Sequence, residues 1–225
     1  MLADSIRAQI QDAWNEERRR DTFAALIRGQ LARRAEVSGE SSSPHDREQG
    51  AQSILEAWRV QLDQVPECID ALAEAAADAR VASVVAPILQ AIQEYFLDPD
   101  DVVADSHGIL GLLDDMYLAL SLLQSVSEQC REFTGHALID IDLTPSIQAV
   151  RPLFQGKRIT ALDARIHATL CRPAMLSSLQ GLRSLAQPLA VKNRESGRRH
   201  IADTMQSHIS IDNLRRTSVD AARVR

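Results

Sequence analysis

Between Ile109 and Val126 the chain places Ile109, Leu110, Leu112, Leu113, Met116, Leu118, Leu120, Leu122, Leu123 and Val126. At helical periodicity these residues fall on most sides of the helix, and a helix apolar on most sides must be covered on most sides. The stretch 109–133 is therefore predicted to be a central, buried helix around which the other elements pack. Two acids, Asp114 and Asp115, lie inside it. Adjacent helical residues point about 100° apart, so one of the pair is expected to face inward. A buried carboxylate needs backbone N–H groups, an arginine or a metal beside it.

The rest of the chain reads as helical too. Aromatic residues are 4% of the sequence, while Ala, Leu, Gln and Arg abound, a mixture that favours helices over strands. The expected fold is all-α. It is a compact multi-helix domain with a central buried helical hairpin (82–97 with 109–133), a tethered N-terminal amphipathic helix and a basic C-terminal tail. Residues 3–35 show helical spacing through Ile6, Ile10, Trp14, Phe23, Ile27 and Leu31, as one helix or two collinear ones. Residues 38–50, rich in Ser, Gly and charge, are predicted to be a linker. Helices are expected at 51–64 and from Pro66 to Asp78, with Pro66 as a first helical residue. The 82–97 helix starts near Pro87 or is kinked there. Shorter helices follow at about 145–154, 159–171 and 174–190, and an extended connector, not a strand, is expected around 139–143. The expected division is an N-terminal helix at 1–37, the linker, a helical domain at 51–190 and a basic, partly ordered tail at 191–225.

Charge is unevenly distributed. Residues 61–145 hold 16 acidic and 2 basic side chains, whereas residues 146–225 hold 14 basic and 5 acidic ones. Lys192, Arg194, Arg198, Arg199, Arg215 and Arg216 are the candidate basic contacts for nucleic acid or an anionic membrane. The simpler expectation is that the basic third packs against the acidic middle. No run is long and apolar enough to span a bilayer, and the first residues lack the pattern of a secretory signal. Cys68, Cys130 and Cys171 lack C-x-x-C spacing, so they read as three small buried side chains. Together these features predict a soluble, cytoplasmic protein.

One segment stands apart, Tyr95-Phe96-Leu97-Asp98-Pro99-Asp100-Asp101-Val102-Val103-Ala104-Asp105-Ser106-His107-Gly108-Ile109-Leu110-Gly111-Leu112-Leu113-Asp114-Asp115-Met116. An apolar helix ends, Pro99 forces a turn crowded with aspartates, and Gly108 and Gly111 allow close approach as the buried helix begins. This segment resembles the YkvA-like family, a small bacterial domain of unknown function, over roughly 82–125. Tyr95, Pro99, Asp101, Asp105, Gly111, Asp114 and Asp115 fall on the family's marked positions. Ala104 and Gly108 depart from it, standing where the family commonly has prolines. The resemblance implies a helical hairpin and brings no activity with it.

Asp101, Asp105, Asp114 and Asp115 are oxygen donors suited to Mg²⁺ or Mn²⁺. The competing reading makes them caps and turn braces that accept backbone N–H bonds, and no cofactor is then expected. His107 reads as an exposed turn residue, His136 and His167 as structural or surface histidines, and Trp14 and Trp58 as helix-packing residues. Phosphate-loop, dinucleotide, nucleophile-elbow and H-E-x-x-H motifs are absent from the sequence. The leading expectation is a non-enzymatic interaction or accessory protein with a protein partner, a homo-oligomer through 3–35 being one form. Its rivals are a metal-binding protein or metal-dependent enzyme, and a nucleic-acid or membrane binder.

Overall fold

The computed structural model describes residues 2–39, 43–97, 109–139, 142–151, 154 and 156–185. These form α1 (Leu2–Arg20), α2 (Thr22–Ser38), α3 (Pro44–Asp78), α4 (Ala82–Leu97), α5 (Ile109–Thr134), α6 (Thr144–Val150), α7 (Lys157–Leu170) and α8 (Pro173–Arg183). The fold is all-α, with no strand among the described residues. None of these helices is long and apolar enough to cross a membrane.

Helix α5 is the axis. Every residue from Gly111 to Leu123 is buried, because α1, α3, α4, α6, α7 and α8 all pack on it. Helix α4 lies against α5 and contributes Val85, Ile88, Ala91, Ile92, Tyr95 and Phe96 to the core. Pro87 sits inside α4 rather than at its start. The described residues around Ile139 and Leu143 form no strand; the Ser127 hydroxyl instead bonds both the N–H and the carbonyl of Ile139, at 3.3 Å each.

The N-terminal helices lie end to end along α3 and run antiparallel to it. Arg7 of α1 pairs with Asp70, Arg28 of α2 with Glu48, and Leu31 packs over Gly50. Helix α1 belongs to the core, with Ala3, Ile6, Ile10 and Trp14 buried. Its Gln9 donates a 2.8 Å bond to the carbonyl of Phe96 near the end of α4. Helix α2 packs chiefly on α3 and meets the end of α1, so α2 and the first half of α3 form a two-helix arm.

Three local expectations are revised. Pro44–Gly50 belongs to α3 and not to a linker. Ser43 begins that helix with a reciprocal cap, its hydroxyl accepting from the Asp46 N–H while the Asp46 carboxylate accepts from the Ser43 N–H. Pro66 does not start a helix, since α3 runs 35 residues through it. The ring deprives the Leu62 carbonyl of its usual donor, and the helix continues there with Leu62, Val65, Pro66 and Cys68 buried in the core. Cys68 and Cys130 are buried as expected, but Cys171 is exposed, with Sγ 3.9 Å from Nδ1 of His167. That i,i+4 pair follows from one helical turn between the two residues.

Candidate functional site

Five polar residues of α5, Asp114, Tyr117, Ser121, Gln124 and Ser125, recur at helical spacing and share one side of the helix, while Asp115 and Ser127 lie elsewhere on it. Arg151, just beyond α6, and Asp163 of α7 meet this stripe. The Tyr117 hydroxyl donates to Asp163 Oδ1 at 2.6 Å. Arg151 donates to Asp163 Oδ2 at 2.8 Å and to Oδ1 at 3.2 Å, and its Nη1 also donates to the Tyr117 hydroxyl. The Phe154 ring meets Tyr117 edge-on at 6.3 Å. A cleft of about 260 Å³ opens here, lined by Tyr117, Ser121, Gln124, Ser125, Arg151 and Asp163 among others.

The electrostatics decide what these groups can do. Burial, reinforced by the bond to Asp163, pushes the Tyr117 phenol up to about 12. Burial alone would raise Asp163, but the bonds from Arg151 and Tyr117 carry its carboxyl below the usual range. At neutral pH the phenol therefore stays protonated and donates, while the carboxylate stays charged and accepts. The trio ties α5, α6 and α7 together, and it contains neither a nucleophile nor a free base.

A second cleft, about 460 Å³, is lined by Gln90, Gln93, Glu94, Tyr95 and Leu97 of α4, Arg165 of α7 and Arg172 at the start of α8. The Arg165 guanidinium sits 5.2 Å from the centre of the Tyr95 ring, and Arg172 pairs with Glu94. The hydroxyls of Tyr95 and Thr169 are buried near each other, too loosely placed for a regular hydrogen bond. Burial pushes the Tyr95 phenol up as well.

The motif residues are only partly within view. Tyr95 and Gly111 are buried. Asp114 and Asp115 are both 1% exposed, so both face inward where one was expected to, because α5 is enclosed on every side. Pro99, Asp101, Asp105 and Gly108 lie outside the described residues, as do Lys192, Arg194, Arg198, Arg199, Arg215 and Arg216. Among the described residues no three His, Cys, Asp or Glu side chains gather as metal ligands would. Sequence reasoning missed Arg151 and Asp163, although the polar stripe through Tyr117, Ser121 and Ser125 was visible in the α5 sequence.

Alkali tests this electrostatic account. The Cys130 thiol, ordinarily 9.0, is pushed by burial to about 11, and the Tyr117 phenol from 10.0 to about 12. The unfolded chain ionises these groups first and so binds fewer protons, and stability falls as pH rises from 9 to 12. The urea midpoint is expected to drop steadily over that range. Tyr117→Phe should flatten the part between pH 10 and 12 and lower the midpoint at pH 8 by about 1 kcal/mol of stability.

No family model, no curated protein and no solved structure matches this chain.

Proposed function

We propose that this chain is a non-enzymatic, helix-mediated interaction or accessory module, and that the outward face of α2 is its contact surface. One observation carries the reading. Leu26 is 42% exposed and Val37 79%, and they share a helix side with Gly29 and Arg33, both exposed. A single exposed leucine means little, but two large apolar side chains about three turns apart on one side of a two-helix arm, with Arg33 between them, fit the helix-against-helix mode of recognition. The inert chemistry of the Tyr117–Asp163–Arg151 trio is consistent with a scaffold role for the body. Placement beside the YkvA-like domains remains part of this proposal, on the spacing of Tyr95, Gly111, Asp114 and Asp115.

The test is affinity capture from native cytosol with wild type and with Leu26→Asp/Val37→Asp, after melting curves show that both fold equally. A stoichiometric partner, or a second copy of the chain, retained by wild type and lost by at least tenfold in the variant supports the reading. Equal recovery with both proteins, or none with either, overturns it. One observation favours the metal reading as a rival, the paired burial of Asp114 and Asp115. That rival requires the melting temperature to fall by several degrees in chelator and to recover with Mg²⁺ or Mn²⁺.

A further inference from the structure

The cleft between α4, α7 and the start of α8, about 460 Å³, is large enough for a small molecule. A contact surface on α2 makes no use of it. Its floor is unfinished. Tyr95 is 1% exposed and Thr169 is fully buried, yet neither hydroxyl has a hydrogen-bond partner among the described residues. Buried hydroxyls are seldom left so. Tyr95 lines the cleft, and its phenol feels the charges of Arg165, Arg172 and Glu94, the three ionised groups around it. The polar end of the ring is therefore turned toward those groups. Thr169 follows Arg165 by one turn of α7 and lies on the same side.

Both arginines can receive an anion at little cost. Arg165 lies over the Tyr95 ring, its guanidinium carbon 5.2 Å from the centre. Stacking engages the face of a guanidinium and not the N–H groups on its edge, so an edge-on bond leaves the stack intact. Arg172 pairs with Glu94, but both side chains are about half exposed, and an exposed pair contributes little. A ligand can replace Glu94 there. Glu94 keeps a second partner, since Gln90 donates to its other oxygen at 3.2 Å. Arg172 is also the residue before α8, whose first turn holds no acid and no side-chain cap. The positive end of that helix thus stands at the same rim. Leu97, 56% exposed, adds an apolar surface to the rim.

We propose that this cleft is a binding site for a small carboxylate, held edge-on by Arg165 and Arg172 with its apolar body against Leu97. The charge of the site selects the ligand. Two arginines against one glutamate leave a single positive charge, which one carboxylate neutralises. A phosphate dianion would add two negative charges beside Glu94, where like charges repel. The planar carboxylate also matches the guanidinium fork oxygen for donor. A ligand seated there would bridge α4, α7 and α8 and raise the melting temperature by mass action.

The chain has two tyrosines, Tyr95 and Tyr117, each beside an arginine, so one spectrum reads both the site and its control. Full-length protein with ¹³C-labelled tyrosine rings is titrated with sodium benzoate, with sodium hexanoate and with inorganic phosphate at constant ionic strength. The Tyr95 signals are expected to shift saturably with benzoate or hexanoate, at half-saturation of about 1 mM or below, while Tyr117 stays in place. Arg172→Gln, at an exposed position, should weaken binding by at least about tenfold with the melting temperature unchanged. Arg165→Lys keeps the charge without the fork and should also bind more weakly. No saturable shift up to about 50 mM of either carboxylate would overturn the inference. Parallel drift of both tyrosines, unchanged affinity in Arg172→Gln, or tighter binding of phosphate than of either carboxylate would do the same.

Discussion

Replacing Glu17 with alanine is expected to loosen α2 from the body and to lower the melting temperature by about 4–12 °C, at about 2–4 °C per kcal/mol for a chain of this size. Glu17 is only 6% exposed, although it lies in a stretch of charge that reads as helix exterior. The corner between α1 and α2 explains its burial. Asp21 turns left-handed there, with φ 53°, and supplies no side-chain cap to α2. Glu17 reaches forward from α1 instead. Its Oε1 accepts the N–H groups of Phe23 at 2.7 Å and Ala24 at 2.9 Å, and its Oε2 accepts the Thr22 hydroxyl at 2.9 Å. Truncation leaves two buried backbone donors unpaired, at about 2–3 kcal/mol together. Glu17→Gln keeps one good acceptor and should lose about half as much. Amide exchange at Phe23 and Ala24 should accelerate more than tenfold in the alanine variant. An unchanged melting temperature and unchanged exchange would contradict this assignment.

Leu122→Ala should cost more, and everywhere at once. Leu122 is fully buried on the helix that six others surround. Removing its side chain forfeits transfer free energy and leaves a cavity, for a loss of about 3–5 kcal/mol. The melting temperature is expected to fall by about 6–20 °C. Unlike the Glu17 change, this one should speed amide exchange in α4, α5, α7 and α8 together, since they share one core. A loss below 1 kcal/mol, measured as the urea midpoint times the slope, would mean that α5 is not the axis.

Helix α5 was legible in the sequence because its apolar residues fall on most of its sides, and burial follows directly from that. The end-to-end course of α1 and α2 was legible for the same reason, in the spacing of Ile6, Ile10, Trp14, Phe23 and Ile27. Pro44–Gly50 was not. Its residues are polar because the arm exposes them, and composition alone does not separate an exposed helix from a linker. The Ser43–Asp46 pair, a cap three residues apart, was the available sign. Pro66 misleads in another way, because a proline usually starts or breaks a helix and here burial of the surrounding residues overrides it. The trio at the candidate site joins residues 34, 46 and 12 positions apart, and no local pattern encodes such a meeting. What could be read was half of it, the polar stripe of α5.

The central claim is that the outward face of α2 is covered when the protein is at work. Hydroxyl-radical footprinting tests this most directly, comparing purified dilute protein with the same protein in native cytosolic extract. Leu26 and Val37 are expected to oxidise several-fold less in the extract, while Leu176 on α8, about as exposed as Leu26, stays the same once total dose is matched. Equal oxidation of all three residues in both samples would contradict the account.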